Sequence, residues 1–380
     1  MHPLSRLVLP ALALAGLVSF PAAAQVISWN VTSNGTWDTV TEIWTGDATT
    51  YSEGADATLV LGGSTNYTVT IDRDADGVGT GVDDVSPGST IFNITSSART
   101  LTVSGGRIQS GTVTKTGPGT VTFQTYPDSF SFTGLTVNQG RVNVRDLNSS
   151  IYPNGSSFSF GTGPITLNGG SFGFLHSQGG DPGVTLTNDL VITAAGGEIN
   201  TARANSNPRT VFAGNVTLGG DLLLSAGSGG NNEPTANYTG TITLTGGNRA
   251  IRGASNFGNG KYPAISGTIT EDVPGRQLTL RMETPFSAPL RGQFQIAGAG
   301  NSYSGGTVIE SGAGFIRVVG SGRLGTGDVT IEDGGDLRLE NNLAIFNTAT
   351  LSITNTISLK TVALNYASAD PGNPDSSDMQ

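Results

Sequence analysis

The feature that most constrains this chain is that part of it is written twice. Within Gly111 to Phe174, Phe132-Thr133-Gly134-Leu135-Thr136-Val137 leads to Gly140, a second short run, and then Gly161-Thr162-Gly163-Pro164-Ile165-Thr166-Leu167. Later, Tyr303-Ser304-Gly305-Gly306-Thr307-Val308-Ile309 leads to Gly312, and then Leu324-Gly325-Thr326-Gly327-Asp328-Val329-Thr330-Ile331, with Gly335-Asp336-Leu337 closing the copy. A unit repeated in one chain implies stacked copies of one supersecondary element. Val-Thr-Leu and Ile-Thr-Leu alternate apolar and hydroxyl residues with the period of two that turns one face inward. Each run is short and is followed by Gly, Asn or Asp, which supply the positive φ of a tight turn. Such a strand buries too little surface alone. Laid on its counterpart in the next coil, it gains a backbone ladder and a continuous apolar stripe, which is the logic of an all-β solenoid.

Val113-Thr114-Lys115-Thr116-Gly117-Pro118-Gly119-Thr120-Val121-Thr122-Phe123 resembles the L-T-K-T-G-x-G-T-L-T-L opening of the autotransporter-associated β-strand repeat. Tyr303-Ser304-Gly305-Gly306-Thr307-Val308 is similar to the Y-T-G-G-T-T centre of that repeat, and Leu324-Gly325-Thr326-Gly327 to its L-G-T-G continuation. The match is strong over 111–174 and 301–339. It implies a secreted or surface passenger built as a right-handed parallel β-helix. Two departures, Leu135 in place of the second Gly and the extra Ala313-Gly314, are expected at turns.

The start of the chain reads as a processing signal. Residues 1–24 run from a short basic stretch (Met1 to Arg6) through an apolar one (Leu7 to Val18, interrupted by Pro10) to Ala22-Ala23-Ala24. About a dozen apolar residues fall short of the roughly 20 a spanning helix needs. Export is therefore expected, with no membrane span in the mature chain, and the resemblance implies the outside or outer surface of a Gram-negative-type bacterium, with its periplasm as the alternative. There is no cysteine, so thiol catalysis and thiolate metal sites are excluded, and stability must come from burial and ladders. The net charge of −10, with only Lys115, Lys261 and Lys360 as lysines, argues against a nucleic-acid partner.

Residues 25–71 hold all three tryptophans, Trp29, Trp37 and Trp44. They read as an aromatic cap closing the open end of the first coil, with a sugar-stacking platform as the competing reading. Next comes Asp72-Arg73-Asp74-Ala75-Asp76-Gly77-Val78, followed by Asp83 at the twelfth position. The D-x-D-x-D-G spacing matches a calcium loop, in which Asp72, Asp74, Asp76 and Asp83 offer carboxylates and Val78 a carbonyl. The closing Asp in place of Glu and the lack of flanking helices weaken that match, and an acidic surface turn is the alternative. No other cofactor is required.

The solenoid is expected over 72–365, with about 20–25 residues per coil and 12–15 coils. Loops at 145–160, 176–183, 201–209, 226–238 and 252–263, and a loop or edge strand at Arg281 to Arg291, interrupt it. A polar tail at 366–380 is expected to be disordered. No catalytic constellation is visible: Asp328, Glu332, Asp333 and Asp336 fall at turns, Glu310, Arg317 and Arg338 read as solvated, and His176 reads as a solvated loop residue. The expected function is a structural, adhesin-like passenger presenting loops to surface glycans or other cell-surface proteins, and not an enzyme. The alternative is a polysaccharide-active lyase or glycoside hydrolase on the same fold. A groove of three or more convergent ionisable groups on one face would favour the enzyme, and ladders of Thr, Asn and Ser would favour the stem.

Overall fold

The computed structural model describes residues 24–73, 83–124, 130–145, 156–176, 184–203, 210–226, 234–255, 262–283, 292–319, 324–340 and 357–359. Residues 1–23, where a processing signal was expected, and the expected tail at 366–380 lie outside them. Among the described residues every regular element is a strand, and no helix is long and apolar enough to cross a membrane. The strands form three sheets of 11, 13 and 8 members around one apolar core. Among the described residues all ladders are parallel except one, the two-residue strand Thr45–Gly46 laid antiparallel on Val26–Asn30. This is the solenoid expected from the repeats.

The alternation of the sequence builds the core directly. In the 11-stranded sheet Leu135, Ile165, Leu190, Val216, Ile242 and Ile269 are register partners in successive coils, and each is at most 2% exposed. Each aliphatic side chain buried this way contributes about 1.5–3 kcal/mol against leaving it in water. One residue further along, Thr114, Thr136, Thr166, Thr217, Thr243 and Thr270 occupy the outward position, with Val191 between them. Larger side chains fill the middle, where Phe123, Phe130, Phe132 and Phe160 meet at ring separations of 5.1–5.8 Å. Such contacts favour edge-on packing.

The 13-stranded sheet counts thirteen coils, within the expected number, and its twelve intervals of about 4.8 Å give a stack about 58 Å long. The coils are longer than expected. Val113 pairs with Leu135, 22 residues on, but Ala57 pairs with Thr90, 33 residues on. The extra length has one address. Between Tyr67 and Met282 nine strands belong to the 13-stranded sheet, and eight of them are followed by a segment outside the described residues. These segments are 74–82, 125–129, 146–155, 177–183, 204–209, 227–233, 256–261 and 284–291. The exception, Thr100–Gly105, reaches the third side at Ile108 within two residues, where Ile108 bridges Val85. Over the same stretch the other two corners hold three to six residues; three residues, for example, separate Thr210–Phe212 from Val216–Leu218, and three more lead to Leu222–Ala226.

Several expected loops are therefore shorter than the sequence suggested, because strands of the 8-stranded sheet, and in one case the end of a strand of the 13-stranded sheet, lie inside them. Ser156–Phe158 falls within 145–160, Pro234–Tyr238 within 226–238, and Arg249–Ser255 and Tyr262–Ile265 cut into 252–263. Tyr238 is buried and stacks on Phe212 at 4.6 Å. Arg281 belongs to the strand Leu278–Met282, and His176 ends the strand Ser171–His176 instead of lying in a loop. Leu135 and Gly314 open strands rather than sitting at turns, since each supplies the first residue of a ladder.

The two copies of the repeat make the same local contacts. Thr162 donates its backbone N–H to the Phe132 carbonyl (2.8 Å), and Thr326 donates to the Tyr303 carbonyl (2.9 Å). Gly161 (φ 76°) and Gly325 (φ 74°) lie against these aromatic rings, where a Cβ would fall 2.3 Å from Phe132 and 2.7 Å from Tyr303. Glycine is required there both by its backbone conformation and by the ring. Yet the copies occupy different sides. Leu135–Val137 and Ile165–Leu167 belong to the 11-stranded sheet, whereas Thr307–Ile309 and Val329–Ile331 belong to the 13-stranded one.

Candidate functional site: a charged strip on the 13-stranded sheet

The strand alternation that sends Val142, Phe172, Ile199, Leu222 and Ile251 inward sends their neighbours outward. Arg141, Ser171, Glu198, Leu223, Arg252 and Arg281 are register partners across six coils of the 13-stranded sheet. Glu198 is the centre of this row. Its Oε1 accepts from Ser225 Oγ (2.8 Å) and Asn200 Nδ2 (3.0 Å), and its Oε2 from Ser171 Oγ (2.9 Å) and Arg141 Nη2 (3.2 Å). Burial alone raises a carboxyl, but these four donors and the Arg141 charge outweigh it and hold Glu198 below the usual range. An ionised carboxylate has no proton to donate, and with its lone pairs occupied it is a poor general base.

Beyond Glu198 lies a shallow open groove of about 360 Å³, lined by Ala194, Ala195, Gly196, Gly197, Gly220, Asp221, Leu223, Arg249 and Arg252. Asp221 Oδ1 accepts from the Ala250 N–H (3.0 Å), and Asp221 Oδ2 stands 3.5 Å from Arg252 Nη2. Arg252 Nη1 is also 3.5 Å from Glu283, which pairs with Arg281 at 3.3 Å. Arg249 differs, because both its hydrogen bonds go to backbone carbonyls: Nε to Leu218 (3.2 Å) and Nη1 to Asn248 (2.9 Å).

The structure thus carries both discriminating features, on different faces. Threonines line the outer side of the 11-stranded sheet, joined by Asn138, Asn168 and Thr193, which bond in sequence at 2.9 and 2.6 Å. The ionisable groups lie on the 13-stranded sheet. Sequence reasoning missed them because coil lengths vary, so Glu198 and Arg252 are not at a fixed spacing. The available signal was local, in that Ile199 inward places Glu198 and Asn200 outward.

The candidate calcium ligands are only partly described. Asp74, Asp76 and Val78 lie outside the described residues. Asp72 follows the strand Tyr67–Ile71, and its N–H donates to the Trp37 carbonyl (3.1 Å). Asp83 is buried, and its neighbour Asp84 is bound by Arg107 Nε (2.9 Å) and Gln109 Nε2 (2.7 Å). Among the described residues no three His, Cys, Asp or Glu side chains gather to hold a metal. The tryptophans are not a surface platform. Trp37 is fully buried and Trp29 and Trp44 nearly so, and Trp44 meets both of the others edge-on at 5.6–5.8 Å. The acidic residues of the second copy fall at turns as expected, with Asp336 beside Arg338 (3.6 Å) and the Arg338 guanidinium 3.8 Å above the Phe315 ring. No family model, curated protein or solved structure matches the chain.

Proposed function

We propose that the protein is an exported structural passenger, adhesin-like, whose right-handed β-helical stem presents loops to a partner at a cell surface. The observation that supports this reading is the placement of the extra sequence. Between Tyr67 and Met282 eight segments begin and end at one corner of the stack while the other two corners hold three to six residues, so over this stretch insertion has been tolerated mainly along one edge. A rod with a row of such segments is suited to surface glycans or other surface proteins as partners. The buried aromatic group of Trp29, Trp37, Trp44 and Tyr51 acts as the N-terminal cap of the apolar core. The resemblance to the autotransporter-associated repeat supports export to the outer surface of a Gram-negative-type cell. Calcium between Asp72 and Asp83 is a further element of the proposal, tested by whether chelator lowers the melting temperature.

A polysaccharide-active enzyme is the second reading, and the ionisable strip favours it. Its most buried carboxylate is engaged, however: Glu198 is held by four donors. The test replaces 146–155 and 227–233 by short Gly-Ser linkers, leaving the strands at Ser156–Phe158 and Pro234–Tyr238 intact. The stem reading expects binding of the full chain to intact cells to be lost with melting unchanged. Adhesion surviving in the variant, or cleavage of a polysaccharide by the full chain, would overturn it.

A further inference from the structure

We propose that the groove between Gly196 and Arg252 is a binding subsite for an acidic sugar, with the sugar carboxylate on Arg249 and ring hydroxyls on Asp221 and Arg252. It rests on the surface-glycan reading above and names the chemistry of one such ligand. The first argument is the state of Arg249. A guanidinium has five N–H donors, and this one spends two on carbonyls, which leave its charge uncompensated by any carboxylate among the described residues. The remaining donors border the groove. A planar fork of this kind suits a carboxylate, which it can bind through two parallel hydrogen bonds.

The second argument concerns the rest of the lining. Asp221 has a carboxylate within hydrogen-bond reach of Arg252 only at 3.5 Å, so both groups retain capacity for a ligand hydroxyl. Ala194, Ala195 and the half-exposed Leu223 offer a small apolar surface to the C–H face of a pyranose. Gly196, Gly197 and Gly220 keep the floor bare. A Cβ at Gly220 would fall 2.0 Å from the Thr193 carbonyl, so nothing larger fits the floor. The lining spans three coils, about 10 Å, which is room for a short oligosaccharide segment, and its volume is at the low end for small-ligand sites. An acidic peptide is disfavoured because the strands here are paired on both sides. Leu222–Ala226 lies between Gly197–Arg203 and Arg249–Ser255, which leaves no free edge for an added strand.

The experiment titrates the intact protein with tetragalacturonate, with its fully methyl-esterified form and with a tetraglutamate peptide, following binding by calorimetry and by ligand-observed NMR. The expected result is binding of the acid at least tenfold tighter than the ester, with no binding of the peptide. Arg249→Gln should weaken acid binding at least tenfold and leave the ester unchanged, and Arg249→Lys should fall between. Melting curves establish whether the variants fold, and the acid-against-ester comparison needs no variant. Equal binding of acid and ester, no binding of the acid, peptide binding as strong as that of the acid, or full affinity in folded Arg249→Gln would each overturn the proposal. The linker-replaced protein keeps every groove residue and should retain acid binding, so failure of loop-borne adhesion leaves this subsite standing and separately measurable.

Discussion

Lys115 offers the sharpest test of how this stem is held together. It alternates inward with Val113 on the strand Thr112–Thr116 and is completely buried. Its Nζ donates to the carbonyls of Thr116 (2.6 Å), Gly117 (2.6 Å) and Gln139 (3.2 Å), joining the turn of one coil to that of the next. Burial pushes the amine down to about 8. In Lys115→Met three carbonyls lose a donor, at about 1–3 kcal/mol each. Against this, the variant is relieved of holding a charge in the core, which the gap from 10.5 to about 8 puts at about 3 kcal/mol. The net loss at pH 7 is about 3 kcal/mol, and for a chain of this size that lowers the melting temperature by about 4 °C. The pH dependence is more discriminating. Because the folded-state value lies below the unfolded one, the unfolded chain holds the extra proton between pH 8 and 10.5, and wild-type stability rises with pH through that window. The variant lacks this rise, so its deficit should widen from pH 8 upwards. The difference between the two proteins is the quantity to measure, since the buried phenols of Tyr238 and Tyr303 are raised and act in the opposite direction at high pH. A variant as stable as wild type at pH 7, or parallel profiles from pH 7 to 10.5, would refute the reasoning.

Three further outcomes are expected. Gly161→Ala and Gly325→Ala each force a Cβ against the ring of the preceding coil at positive φ, and should cost about 1–3 kcal/mol or more by chemical denaturation, with Gly163→Ala similarly severe against the Thr133 carbonyl. Glu198→Gln removes a carboxylate held below 4.5. The stability this group contributes is present above that value and is lost as pH falls through the folded value, so the variant's melting temperature should change less than wild type's on acidification below about pH 4.5. Trp37→Ala empties the first coil at a cost of about 3–5 kcal/mol, and hydrogen exchange should speed up in Gly35–Trp37 and Tyr67–Ile71 far more than in Leu278–Met282. Uniform acceleration along the chain would contradict the cap reading.

Much of the stem is legible in the sequence because its rule is local. An apolar-hydroxyl-apolar triplet followed by Gly or Asn fixes which side chain turns inward, so Leu135, Ile165 and Val216 could be placed without coordinates. Even Lys115 follows from the same alternation, although its three carbonyl partners do not. The strands of the third sheet were harder to read. Ser156–Phe158 has no alternating triplet of its own and Pro234–Tyr238 only Ala236-Asn237-Tyr238, without a hydroxyl residue at its centre, and what makes them strands is the ladder each forms with its neighbouring coil. The charged strip failed for a related reason. Arg141, Glu198 and Arg252 belong together only through register, and unequal coils hide register from any fixed spacing.

The two copies of the repeat show what the motif specifies and what it leaves open. Gly161 against Phe132 and Gly325 against Tyr303 are the same contact, made within one stacking step. That contact requires only that an aromatic residue lie directly beneath the glycine of the next coil. It says nothing about which side of the coil carries the pair. Once the 11-stranded sheet ends at Ile269–Glu271, the segment at Gly298–Ser302 continues the stack through single bonds such as Ile269 N–H to Asn301 Oδ1 (2.6 Å), and the next strand forms on the following side. The motif then repeats its contacts one side further round. The repeat is thus a rule for stacking coils, and position around the coil is set by how many residues the preceding corner uses. This also explains why the corner after the 13-stranded sheet can hold segments from five to ten residues long without disturbing the core. Neither register nor the aromatic contact passes through that corner, so its length is free to vary with whatever it must meet.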